Sequence, residues 1–154
     1  MVLTRRGNRV TAEDAEDAEE GTVEGGTELT ERVIRSAIAV HRALGPGLLE
    51  STYEACLVHE LMEGGVALER QKALPVHYRG LRIDCGYRVD LLVGGELIVE
   101  LKAVERLLPI HDAQLLTYLR LSDLRVGLLL NFNTTLMRNG IKRIVNAAPS
   151  RPPT

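Results

Sequence analysis

Asp90-Leu91-Leu92-Val93-Gly94-Gly95-Glu96-Leu97-Ile98-Val99-Glu100-Leu101-Lys102 reads as a β-hairpin that carries two acids and a lysine on one face. Side chains on a strand point alternately to opposite sides. Val89, Leu91 and Val93 therefore share one side of the first strand, and Leu97, Val99 and Leu101 share one side of the second. Both sets are wholly aliphatic, so they are expected to meet on one core face. That register puts Leu92 across from Ile98 and Asp90 across from Glu100, with Lys102 one step beyond. Like charges directly opposite destabilise a sheet by roughly 0.2–1 kcal/mol. Two such acids beside a lysine point to a bound cation, and the hairpin is a candidate metal site. The turn decides this. An odd-length or bulged connection at Gly94-Gly95-Glu96 keeps the acids facing each other, whereas a plain two-residue Gly-Gly turn sets them on opposite faces.

The rest of the chain frames the hairpin with helices. Thr27 or Thr30 can cap a helix that runs to Leu44, with Val33, Ile34, Ala37, Ile38 and Val40 at a helical period. Gly45-Pro46-Gly47 breaks it. A second helix starts near Leu49 or Glu50, carries Tyr53, Leu57 and Leu61 on one face, and ends at Gly64-Gly65. Strands are expected at about 66–78 and 81–93, with a tight turn at Arg79-Gly80, and the hairpin partner at 96–103. Pro109 opens a helix to about Leu121. Arg125 to Phe132 is a continuous apolar run suited to a buried strand, and 140–146 adds an edge strand.

Composition excludes several classes. At 154 residues and 45% hydrophobic content, the chain suits one folded domain. No stretch approaches the roughly 20 apolar residues of a membrane span. Neither a signal-peptide core nor a membrane role is expected, and the location expected is cytoplasmic. Cys56 and Cys85 are too far apart for a zinc or redox motif and read as small core residues in a reducing compartment. The charge is uneven. Residues 1–28 hold three arginines against eight acids, while 29–154 hold 16 basic and 13 acidic residues, a net of +3. The domain is therefore expected at 29–146, between a disordered acidic tail (1–28) and a flexible C-terminal tail (147–154). A mildly basic domain is compatible with a phosphate-rich partner.

Other positions can join the acids. Glu50 opens the second helix just after the Gly-Pro-Gly break, where the helix dipole alone would favour an acid. Gln114 and Tyr118, four apart, share a face of the third helix. His41 sits among apolar neighbours, a setting more typical of a hydrogen-bonded core histidine than of a catalyst. Histidines 59, 77 and 111 show no ligand spacing together, which disfavours zinc. Neither a phosphate-binding glycine loop nor a nucleophile elbow is present.

Gly47-Leu48-Leu49-Glu50-Ser51-Thr52-Tyr53 resembles the signature of the GxxExxY family of small prokaryotic proteins. The likeness continues through LPVHYRG, the Asp90 hairpin, Glu100-Leu101-Lys102 and the helix bearing Gln114 and Tyr118, and covers roughly residues 30–146. Valine stands at position 89 where the literal motif has proline. That family is placed in the PD-(D/E)XK nuclease superfamily. The resemblance implies an α/β fold with a mixed sheet: a restriction-endonuclease-like αβββαβ core with an extra N-terminal helix. It also implies a metal-dependent nuclease in which Asp90, Glu100 and the Leu101 carbonyl bind Mg²⁺ or Mn²⁺ and Glu50 completes the shell. Lys102 would act on the attacking water or the phosphate, with Gln114 and Tyr118 as positioning groups. Nucleic acid, DNA or RNA, is the implied partner. Two rivals belong to other classes: a nuclease-fold protein that binds nucleic acid without cutting it, and an interaction module that pairs with another chain, as in a homodimer.

Overall fold

The computed structural model describes residues 27–147; the acidic segment and the last seven residues lie outside the described range. Two helices come first, α1 (Glu28–Leu44) and α2 (Glu50–Glu63). The Thr27 hydroxyl caps α1 by accepting from the Thr30 N–H at 3.1 Å. Strands β1 (Leu68–Ala73), β2 (Val76–Tyr78), β3 (Leu81–Ile83), β4 (Arg88–Val93) and β5 (Leu97–Lys102) follow. Helix α3 (Pro109–Ser122) then leads to β6 (Val126–Asn131), a 3₁₀ turn and β7 (Ile141–Val145).

Five strands form one mixed sheet in the order β1-β4-β5-β6-β7. Among the described residues only the β5–β6 pair is parallel, because α3 carries the chain back over one face between them. Helices α1 and α2 cover one face, packing Ile34, Ile38, Leu57 and Leu61 against Leu91, Val93, Leu97, Val99 and Leu101. Helix α3 covers the other, where Leu115, Tyr118 and Leu119 meet Val89, Ile98 and Leu129.

Three details depart from the sequence reading. The two long strands expected at 66–78 and 81–93 are each broken, so β2 and β3 form a separate two-stranded hairpin that stands off the body. Val89 does not share a face with Leu91 and Val93 but packs with the α3 cluster, since regular pairing fails between it and Leu91. Cys85 is exposed rather than in the core. His41 behaves as a core histidine: it is buried, with Nε2 2.8 Å from the Thr134 carbonyl.

A close backbone approach fixes the end of β6. A Cβ built on buried Gly140 would stand 2.0 Å from the Asn131 carbonyl oxygen, an obstacle that cannot swing aside. Asn131 in turn clamps the chain just past β5, its side chain accepting from the Val104 N–H at 3.0 Å and donating to the Val104 carbonyl at 2.9 Å. Gly140→Ala is expected to destabilise the fold by about 3 kcal/mol, the upper range for overpacking, measurable by urea denaturation. An unchanged midpoint would mean that the 3₁₀ turn yields freely.

Candidate active site

The hairpin turn has the odd length that the site requires. Pairs Leu91–Val99, Leu92–Ile98 and Val93–Leu97 leave Gly94, Gly95 and Glu96 as a three-residue loop. Both glycines are left-handed (φ 60° and 72°), a conformation that side chains resist. The ladder then stops at Leu91–Val99, one step short of the acids. There the carboxylates replace backbone pairing. Glu100 accepts the Asp90 N–H at 2.8 Å through Oε2, and Asp90 accepts the Leu101 N–H at 2.8 Å through Oδ2. Each acid thus anchors the other's strand, and β4 and β5 part at this point.

Three more side chains approach the same end of β5. Glu50, exposed on the first turn of α2, is partly desolvated there; this first, and then Asp90, push its carboxyl up, while Lys102 and the Ala103 backbone pull it down. Tyr118 comes from the opposite layer. Its phenol is pushed up by burial and then by Glu100, Tyr87 and Asp90. Glu100 itself is buried, and desolvation together with Asp90 raises its carboxyl to about 8, although the Asp90 N–H and Lys102 oppose the shift. Lys102 is half-buried, and its ammonium forms no ion pair or hydrogen bond among the described residues. Gln114 is exposed one turn before Tyr118.

Tyr53 explains why Glu50 reaches β5. Its hydroxyl donates to the Gly45 carbonyl at 2.5 Å and accepts the Leu48 N–H at 3.1 Å, shaping the loop that opens α2. Its ring stacks on Phe132 at 4.5 Å, and the Phe132 N–H donates to the Lys102 carbonyl at 2.9 Å. The glycine, acid and tyrosine spaced three apart are therefore one device: a loop, the group it presents and the strut beneath.

Two residues at the site were not legible as such. Glu54, one turn after Glu50, is buried and accepts from Arg70 Nε at 3.1 Å and Gln71 Nε2 at 3.0 Å. Gln71 also donates to Asp90 Oδ1 at 3.3 Å. Helical spacing from Glu50 could have flagged Glu54, but nothing local marks Gln71.

Could a divalent cation sit here? Among the described residues, no three His, Cys, Asp or Glu side chains form a ready-made ligand group. Two carboxylates and a backbone carbonyl, however, need no third. The N–H and C=O of one strand residue point the same way, so the Leu101 carbonyl turns towards Asp90 as its N–H does. The donors are hard oxygens, the kind Mg²⁺ and Mn²⁺ take. An acid whose carboxyl is pushed up by burial and by a neighbouring carboxylate is one that a cation would relieve. The residues present fit such an ion.

A family model of the PD-(D/E)XK nuclease superfamily matches residues 27–144, most of the chain and nearly all that the structure describes. The chain belongs to the PD-(D/E)XK nuclease superfamily. Searches of the curated proteins and of the solved structures found no match. The mixed sheet flanked by helices is the restriction-endonuclease-like fold of the superfamily. Among the described residues, no helix is long and apolar enough to cross a membrane.

Proposed function

We propose that this protein hydrolyses phosphodiester bonds of nucleic acid with a divalent metal ion. The observation that carries the reading is the interlocked Asp90–Glu100 pair at the point where β4 and β5 part, with Lys102 uncommitted beside it. Asp90, Glu100 and the Leu101 carbonyl would hold Mg²⁺ or Mn²⁺, with Glu50 adding a ligand directly or through water. The ion would supply Lewis-acid polarisation of the phosphate and a bound water of lowered pKa. Lys102 orients the nucleophilic water or offsets charge developing on the phosphoryl oxygens. Tyr118, whose phenol is raised by burial and by the nearby Glu100 charge, would steady the acid from the α3 side. Gln114, on the same helix face and exposed, would contact a backbone phosphate.

Charge supports a polyanionic substrate. Residues 69–88 hold five basic residues (Arg70, Lys72, Arg79, Arg82, Arg88) against Glu69 and Asp84, which accounts for the whole +3 excess of 29–154. This segment contains the β2–β3 hairpin, exposed from His77 to Arg88. Its last residues adjoin the acids, since Tyr87 acts on the Tyr118 phenol. A polyanion entering an acidic site needs such a guide.

The deciding experiment is a cleavage panel over single- and double-stranded DNA and RNA with Mg²⁺, Mn²⁺ or chelator, using Asp90→Ala as control. Metal-dependent cutting that vanishes in the control supports the reading; binding without cutting by any form would leave the non-cleaving rival. Replacing Arg79, Arg82 and Arg88 together by alanine is expected to weaken oligonucleotide binding about tenfold. It should also lower the salt slope by about two to three. A second reading rests on the same hairpin. Tyr78, Leu81 and Ile83 are exposed on it and Tyr87 just beyond it, apolar residues that pairing with a second copy would cover. Sedimentation equilibrium would then show a dimer that Leu81→Asp dissociates.

A further inference from the structure

Strand β1 carries a backbone anomaly beside the acids. Its ladder with β4 pairs Leu68–Val93, Glu69–Leu92 and Arg70–Leu91, then resumes at Lys72–Val89 and Ala73–Arg88 in unchanged register. The pair left out is Gln71 and Asp90. Gln71 has φ +49°, the left-handed region that costs a non-glycine residue about 1 kcal/mol or more. Glycine or asparagine would sit there more easily. The side chain makes contacts that can offset this cost.

That side chain spends both amide hydrogens on carboxylates. Nε2 donates to Glu54 Oε1 at 3.0 Å and to Asp90 Oδ1 at 3.3 Å. A primary amide has two donors and no more, so Gln71 is fully used as a bridge between α2 and β4. Asp90 is consequently gripped at both oxygens, by Gln71 at Oδ1 and by the Leu101 N–H at Oδ2. Glu54 is fixed in turn by Arg70, which satisfies its charge without bringing a cation to Asp90. An amide suits this place. A lysine or arginine would pair with Asp90 and compete with an incoming cation, whereas a neutral donor orients the carboxylate and leaves its charge and remaining lone pairs free.

We propose that Gln71 is a positioning residue that pre-orients Asp90 for a divalent cation, with Glu54 as its anchor on α2. The inference rests on the reading of Asp90 as a metal ligand. Outer partners of a ligand typically matter by 10–100-fold in metal affinity.

Gln71→Gly and Gln71→Asn accept the left-handed backbone but cannot span the two carboxylates. Mn²⁺ binding is measured by calorimetry on the full chain, alongside cleavage as a function of Mn²⁺ concentration. Both variants should bind Mn²⁺ at least about tenfold more weakly and need correspondingly more metal for half-maximal cleavage. At saturating metal, kcat should stay within a few-fold of the parent. A purely structural role for Gln71 would lower the melting temperature and leave metal affinity alone. Parent-like affinity in a folded Gln71→Gly or Gln71→Asn, with binding lost in Asp90→Ala, overturns this inference and spares the reading of Asp90. Mn²⁺ binding that Asp90→Ala does not weaken overturns both.

Discussion

Glu100→Gln is expected to make the metal-free protein more stable at pH 8 while abolishing cleavage. Burial and the neighbouring Asp90 raise the Glu100 carboxyl to about 8 from an ordinary value of 4.5. Between those values the folded state holds a proton that the unfolded chain releases. Stability therefore falls as pH rises through this window. A tenfold difference in proton affinity between the two states corresponds to about 1.4 kcal/mol, so the whole effect is at most on the order of 5 kcal/mol. The substitution removes that dependence at little structural cost, because an amide oxygen can still accept the Asp90 N–H that Glu100 now accepts at 2.8 Å. Melting temperatures from pH 5 to 9 in chelator should decline for the parent chain and run flatter for the variant. Some slope will persist, since the Glu50 carboxyl is also raised. Added Mn²⁺ should restore stability at pH 8 only in the parent. Parallel curves for the two proteins would refute the account of Glu100 as a strained, cation-seeking acid.

Lys102→Ala should separate chemistry from metal binding. The ammonium lies near Glu50 and Glu100 and lowers both carboxyls, yet is tied down by no ion pair among the described residues. A cation left free beside carboxylates is available to a phosphate. Removing it is expected to reduce kcat by about 10²–10³, the scale seen when one preorganised donor to a developing charge is lost. Metal affinity should hold or improve, because a competing positive charge is gone. The acid limb of the pH–rate profile should move to higher pH, since both carboxyls lose a neighbour that favours ionisation. Undiminished cleavage in this variant would refute the role given to the lysine.

Much of this arrangement was legible from local pattern. Alternation in β5 identified Leu97, Val99 and Leu101 as one core face, and they pack together against α1 and α2. The helix around Glu50 began where the Gly-Pro-Gly break required, and Pro109 opened α3. Val89 misled because alternation holds only while a strand stays regular, and β4 is irregular at Asp90.

The helices, the register of the Asp90–Glu100 hairpin and the superfamily could all be read from the chain, because periodicity, turn residues and motif spacing are local quantities. Tertiary packing was needed to show that Glu50 and Tyr118 reach the acids from opposite layers, and that Glu54 and Gln71 stand behind Asp90. It also buries Glu100 deeply enough to hold a proton near pH 8. Burial and approach depend on contacts between segments distant in the chain, and a linear pattern does not carry that information.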